Sequence, residues 1–392
     1  MNEQVKRIYL DHSATTPVDP AVVEAMRPYF TESFGNASSI HIFGREAKIA
    51  LEESRETIVA AIGAKMGELF FTSGGTEADN HALLGAAFAA KRSRGYNHLV
   101  ISAVEHHAVI HSGSYLRENG FEITLVPVDE FGTVDPADVL KAMTPRTCLV
   151  SVMHANNEIG TIQHIADIAR IAHERGALLH SDTVQSFGKI PVDVNLLGAD
   201  MLSISAHKIY GPKGIGAVYI RKGVDVDSFM HGGAQERNRR AGTENIPFAV
   251  GFAKAVSISR EEMKGNNARF IEMRKLFRQK LADTFDTILF NGHPTDSLPS
   301  IVNISFDSKK VDIDGEALLL NMDLQGVAVT SGSACSSGSM EASHVLQAIG
   351  RDMKTSRASI RFSMGKHTTE EELERTVEIL GRVAGKSSMA RP

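Results

Sequence analysis

The chain has 392 residues, 42% of them hydrophobic, a formal net charge of -5 and two cysteines. That length and apolar content can bury a large core divided between a bigger and a smaller domain, and the acidic balance, with no basic run, excludes an electrostatic nucleic-acid binder. Cys148 and Cys335 cannot make a disulfide framework, no stretch is long and apolar enough to span a bilayer, and Met1 to Arg7 lead into a strand without an apolar leader. The expectation is a cytoplasmic protein that acts on small molecules.

In chain order, a strand end at Tyr9-Leu10-Asp11 is followed by a small-residue turn, a helix opened by Pro20, and an amphipathic helix over 44–63. Leu69-Phe70-Phe71-Thr72 then runs into Ser73-Gly74-Gly75-Thr76-Glu77, a strand, a glycine turn and a helix start in quick succession. Glycines let the backbone approach an anion, and a helix start offers free amides at the positive end of its dipole, so a phosphate is well served there. An ordinary tight turn capped by Thr76 has the same spelling. The stretch is neither a Walker loop nor a dinucleotide fingerprint.

Strands over 98–103, 122–126, 148–153, 177–181 and 201–205 alternate with helices over 111–119 and 162–174. This alternation predicts an α/β fold with a mostly parallel sheet, helices on both faces and ligands beyond the carboxyl ends of the strands. Polar clusters stand at those ends: Glu105-His106-His107, His154 to Glu158, Asp182 to Gln185, and His207-Lys208. A metal site is the competing explanation for the histidines, but no His-Glu-x-x-His or Cys-x-x-Cys spacing occurs. The turn over 211–216 leads into a strand over 217–220, expected as an antiparallel edge partner, and the glycine-rich, cationic 232–245 is expected as a loop. A helix over 247–263, continued by another over 267–285, marks the passage to a second domain with strands over 300–306, 327–330 and 359–362 and a final helix over 370–383.

Four residues carry distinctive chemistry. A lysine directly after a buried strand, as Lys208 is, has a partly desolvated amine and so favours the neutral form that condenses with an aldehyde. Asp182 could protonate the ring nitrogen of an aldehyde cofactor, although a lysine and an aspartate after strands are also a common surface ion pair. Cys335 sits among small residues in Ser331-Gly332-Ser333-Ala334-Cys335-Ser336, as a reactive thiol would, whereas Cys148 has the apolar neighbours of core filler. Arg361, in Ile360-Arg361-Phe362, is either half of a structural ion pair or a bidentate clamp for a carboxylate.

From Tyr9-Leu10-Asp11 to Arg361-Phe362-Ser363 the chain resembles cysteine desulfurases of the NifS/IscS type, pyridoxal-phosphate enzymes of the class-V aminotransferase family. The motifs are Ser73 to Glu77, Glu105-His106-His107, Asn156-Asn157-Glu158-Ile159-Gly160, Asp182 to Gln185, Ser205-Ala206-His207-Lys208, Arg240-Ala241-Gly242-Thr243 and Gly332-Ser333-Ala334-Cys335. The resemblance implies the aspartate aminotransferase-like fold (pyridoxal-phosphate fold type I). In it a large cofactor-binding domain covers 16–262, and 1–15 with 263–392 form a smaller α+β domain carrying the cysteine loop. It implies that Lys208 bonds the cofactor, that Asp182 partners its ring nitrogen and that His106 stacks on the ring. Gly75, Thr76, Ser205 and His207 are implied as phosphate ligands, with Thr243 reaching in from the second subunit of a homodimer. Asn157 and Gln185 are implied to contact the substrate and the ring hydroxyl, Arg361 to hold the substrate carboxylate, and Cys335 to take the sulfur of L-cysteine as a persulfide, leaving L-alanine. No intrinsic metal is implied, Cys335 being at most a transient ligand of an iron-sulfur cluster. The implied acceptors are an iron-sulfur scaffold or another sulfur-accepting protein, as in tRNA thiolation. A selenocysteine lyase, an aminotransferase on the same scaffold and a sulfur-carrier subunit of a larger complex remain the alternatives.

Overall fold

A computed structural model of the chain describes residues 7–332 and 342–389. Its strands are β1 (Ile8–Tyr9), β2 (Leu69–Thr72), β3 (His98–Ser102), β4 (Glu122–Val126), β5 (Thr147–Ser151), β6 (Leu178–Asp182), β7 (Met201–Ser205), β8 (Gly216–Ile220), β9 (Ile288–Asn291), β10 (Ile301–Phe306), β11 (Val327–Ala328) and β12 (Ser359–Ser363). Seven form one sheet in the order β2-β8-β7-β6-β5-β3-β4. Runs such as Leu99-Val100-Ile101 and Leu149-Val150 are fully buried, as expected of parallel strands covered by helices on both faces. From β4 to β7 all neighbours are parallel, and β8 is antiparallel to both β7 and β2. The expected edge strand is therefore interior: β8 is flanked on both sides, because Gly216-Ala217-Val218 has the small, apolar profile of a strand buried on both faces.

A separate antiparallel sheet, β12-β10-β9, packs with the helices Gly315–Leu324 and Glu370–Met389, and β1 pairs with β11. Ile8 and Leu10 join Phe277, Phe306 and Phe362 in one hydrophobic cluster there, distinct from the cluster under the large sheet that contains Tyr219 and Phe252. Each such fully buried aromatic contributes roughly 2–3 kcal/mol of burial. The two helices expected over 247–285 are one continuous helix, Ile246–Thr284. Gly265-Asn266-Asn267 is weak helix former rather than a break, at about 1 kcal/mol for the glycine, and Asn267 Nδ2 donates to the Lys189 carbonyl at 2.7 Å. Among the described residues no helix is long and apolar enough to cross a membrane.

The expected loop over 232–245 is more structured than its composition suggests. Glu236, Arg237 and Asn238 all have positive φ (44°, 58° and 67°), unusual for residues with a Cβ. Glu236 is buried and accepts from Arg55 Nη1 (2.8 Å) and Nη2 (2.9 Å) and from the Phe71 amide (2.9 Å), so a buried ion pair holds this left-handed stretch in place.

Candidate active site

The strand ends converge as the alternation predicted. β2, β3, β5, β6 and β7 all deliver residues to one edge of the sheet, and a cleft there is lined by Gly75, Thr76, His106, Asn157, Asp182, Gln185, Ser205, His207, Lys208 and Arg361. Two expected residues are elsewhere. Thr243 lies in a separate cavity with Phe71, Ser73 and Arg240. Cys335 is outside the described residues, although Thr330 and Gly332, just before it, line the cleft.

Lys208 ends a single 3-10 turn, Ala206–Lys208, directly after β7. Its Nζ donates to the carbonyls of Ser13 (2.5 Å) and Ala14 (2.7 Å), which aims the amine back at the cleft. Burial, reinforced by the Arg361 guanidinium, brings the amine down from 10.5 to about 8, against the opposite pull of Asp182 and Asp11. Near neutral pH a useful fraction is thus the free base that attacks a carbonyl. Gln185 Nε2 donates to the same Ser13 carbonyl at 2.8 Å, and Lys189 Nζ donates to Gln185 Oε1 at 2.8 Å, which fixes which end of that amide faces which way.

Asp182, the last residue of β6, is buried and accepts the Val184 amide at 2.8 Å. Burial pushes its carboxyl up to about 6, with the Val184 amide and Lys208 opposing. Behind it stands Asp79, which the sequence reading passed over: it is 1% exposed, and burial together with the charge of Asp182 raises it well above the usual carboxylate range. The available signal was helical spacing, since Asp79 is four residues after Gly75 and so shares its face of the helix Gly75–Arg94. Ligand atoms of Asp79, His106 and Asp182 all lie within 4.8 Å of one another, which would also suit a metal ion.

His106 caps the helix His107–Glu118, its Nδ1 accepting the Ala108 amide at 3.1 Å. Burial, with Lys208 as the next cause, lowers it to about 4, so the ring is neutral and its Nε2 carries the proton. His207 is lowered to about 4 in the same way and bonds Thr15 Oγ1 through Nδ1 at 3.1 Å. The helix after Gly74-Gly75 has no side-chain cap, so Thr76 is not the cap and the first-turn amides stay available. Gly75 is required by space: a Cβ there would meet Val184 Cγ2 at 2.6 Å. Arg361 resolves the earlier alternatives in part: Nη2 is paired with Asp11 (2.8 Å), Nη1 donates to the Asn157 carbonyl (2.9 Å), and the side chain still lines the cleft.

These groups fit pyridoxal phosphate. Ser205 Oγ is buried with no hydrogen-bond partner and borders the cleft, as do the uncapped amides, which suits a phosphate, and a buried carboxylate near a free amine suits the ring nitrogen and the aldehyde. Cys148 is 1% exposed, donates to the His98 carbonyl and is pushed by burial to about 11, the state of an inert thiol.

The aminotransferase class-V family model matches residues 8–376. The chain is 48% identical to a protein named cysteine desulfurase IscS from Dictyoglomus turgidum, over 99% of this chain and 97% of that one. It is 46% identical to the protein of the same name from Methanosarcina thermophila, over 97% and 93%. Among solved structures, a NifS-like protein superposes with a TM-score of 0.89 at 36% identity, covering 97% of this chain and all of that one. Another, from Rickettsia africae, gives 0.86 at 30% identity over 96% and 99%. The chain therefore belongs to the class-V aminotransferases of pyridoxal-phosphate fold type I and, within them, to the cysteine desulfurases of the IscS and NifS type.

Proposed function

We propose that the cleft binds pyridoxal phosphate and L-cysteine, and that the protein releases L-alanine while keeping the sulfur as a persulfide on Cys335. The observation that carries this reading is one cleft presenting the Lys208 amine, the buried Asp182 carboxylate, the neutral His106 ring and Arg361 in a chain whose relatives are cysteine desulfurases. Bound there, pyridoxal phosphate supplies an aldehyde for amines and a ring that withdraws electrons from the substrate's Cα. Gly75, Thr76, Ser205 and His207 would hold its phosphate, His106 would cover one face of the ring, and Asp182 would keep a proton on the ring nitrogen. Gln185, its amide fixed by Lys189, would present its NH2 group to the ring hydroxyl, and Asn157 would border the substrate. Arg361 would orient the substrate carboxylate with the part of its fork not taken by Asp11. Lys208 takes the proton from Cα and returns one. The Cys335 thiolate attacks the substrate sulfur: the S–S bond forms, the C–S bond breaks, and its electron pair stays on carbon, which gains a proton to become alanine.

A homodimer follows from the same reading. Thr243 lies outside the cleft, on a segment tied to the helix start by Arg240, which bonds Glu77 at 2.7 and 3.1 Å, and a second copy would carry it into its partner's site. Phe30, Phe34, Ile40, Ile42 and Phe43 are exposed together near the start of the chain and offer the apolar surface such a contact needs. We also infer the division into 16–262 and 1–15 with 263–392, which the separate hydrophobic clusters support. A reducing, cytoplasmic location suits the thiol chemistry, with an iron-sulfur scaffold or a tRNA-thiolation protein as acceptor and Cys335 as transient cluster ligand. The deciding experiment incubates the cofactor-loaded protein with cysteine and a thiol reductant and measures alanine and sulfide. They should appear in equal amounts and be abolished in Lys208→Ala; turnover of selenocysteine alone would replace this reading by a selenocysteine lyase.

A further inference from the structure

We propose that a cationic groove along the long helix Ile246–Thr284 docks an acidic amphipathic helix of a partner protein. The groove has a volume of about 710 Å³ and runs along the outer face of the second half of the helix Ile246–Thr284, with Phe290 and the segment 294–299 as its other wall. Asn267, Ile271, Arg274, Lys275, Arg278 and Ala282 recur at helical spacing along it, a stripe of about four turns or ~23 Å. None of these residues lines the cleft that holds Asp182 and His106, although Asn267 also borders a smaller cavity beside Lys208, and the inference does not rest on the desulfurase reading.

The charge is what selects the partner. The chain has more carboxylates than Lys and Arg together, yet among the described residues three cations line this groove and no carboxylate does. Among the described residues Arg274 donates to the carbonyls of His293 (3.3 Å) and Pro294 (3.0 Å) and to no carboxylate, and burial brings its guanidinium down to about 10. Arg278 Cζ stands over the Phe290 ring, 4.0 Å from its centroid, and the guanidinium is lowered by burial too. Half-buried guanidinium groups without an anion are unfavourable by themselves, and a carboxylate delivered from outside satisfies them. Between the cations the floor is apolar, with Ile271 55% exposed and Ile190 and Phe290 half-buried. Three cations on an apolar floor are too few for a nucleic-acid backbone and too extended for a single small anion, whereas they match alternating leucine and glutamate on one helix.

The test uses the full-length, cofactor-loaded protein and a fluorescein-labelled peptide of sixteen residues with glutamates flanking a stripe of leucines, followed by anisotropy. Saturable binding is expected, weakened about tenfold or more by Arg274→Glu with Arg278→Glu, and weakened by raising salt from about 50 to about 300 mM. Cysteine turnover should be unchanged, which certifies the fold of the variants. Lys275→Glu, at an exposed position of the groove, provides a milder variant with a smaller loss in the same direction. Equal binding by wild type and both variants overturns the proposal, as does no saturation up to about 1 mM protein. So does displacement of the peptide by millimolar inorganic phosphate, or tighter binding of an oligothymidylate that the same variants abolish.

Discussion

Replacing Asp182 by Asn should stabilise the cofactor-free protein while destroying its activity. The substitution removes the charge and leaves an oxygen for the Val184 amide, now bonded at 2.8 Å. In the folded chain burial raises the Asp182 carboxyl from 3.8 to about 6. The folded state therefore holds this proton more tightly than the unfolded state. Its contribution to stability is complete below the unfolded value and is lost as pH rises through the folded one. Above pH 6 an ionised Asp182 costs stability, at about 1.36 kcal/mol for each pH unit by which burial raises the carboxyl, and Asn avoids that cost. Asp79, relieved of the neighbouring charge, loses one of the causes that raise its carboxyl, which adds to the stabilisation. Thermal unfolding of both cofactor-free proteins should give similar midpoints near pH 4 and an advantage of a few degrees for Asp182→Asn at about pH 7. Saturating pyridoxal phosphate should reverse the ranking, because the wild-type carboxylate meets the protonated ring nitrogen. If the variant is no more stable at neutral pH, or its advantage does not change between pH 4 and 7, the burial of this carboxylate does not carry the strain assigned to it.

Arg361→Ala should raise the KM for cysteine about ten- to hundredfold, with Arg361→Lys a partial rescue in steady-state kinetics; an unchanged KM with full cofactor content would make the Asp11 pair its whole role. Cys335→Ser should still change the cofactor's visible spectrum on addition of cysteine but form neither alanine nor a persulfide detectable by mass spectrometry, and Cys148→Ser should keep both. Glu236→Gln should destabilise the protein by about 3–5 kcal/mol in urea titrations, because it removes the buried carboxylate that holds both Nη groups of Arg55 and leaves, among the described residues, only the longer Glu52 pair at 3.4 Å, and Arg55→Met added to it should recover part of the loss.

The sequence announced the cleft because each contributing strand is an apolar run that ends in polar residues, and a parallel sheet brings such ends to one edge. Lys208 and Asp182 could be singled out on that ground, whereas His106 and Asn157 stood there only as members of polar clusters and took their roles from the family resemblance. Asp79 could not, because an aspartate one turn into a helix is ordinarily solvated, and only the folding of Gly75–Arg94 across β6 and β7 buries it behind Asp182. The Asp11–Arg361 pair escaped for a related reason: its members are joined through β1 and β12, strands at opposite ends of the chain. Glu236 escaped because a cationic, glycine-rich stretch has the composition of a loop, and its anchor, Arg55, is on a distant helix that looks amphipathic without it. β9 escaped because Ile288-Leu289-Phe290-Asn291 is only half-buried and follows a long helix directly.

The placement of β8 between β7 and β2 governs the order in which the protein can assemble. β3 to β7 pair with near neighbours through single crossovers, but β2 is held only through β8, Phe71 opposite Ala217, so its place in the sheet does not exist until the chain has been made at least to Ile220. Closing so long a loop is entropically slow, and contacts of this sequence separation form late. Gly75 and Thr76 ride on the end of β2, whereas Lys208 and Ser205 ride on β7. On the ribosome, the half of the cleft that carries the lysine is thus shaped before the half that offers the amides, and a stable grip on a phosphate becomes available only when the last strand slots in.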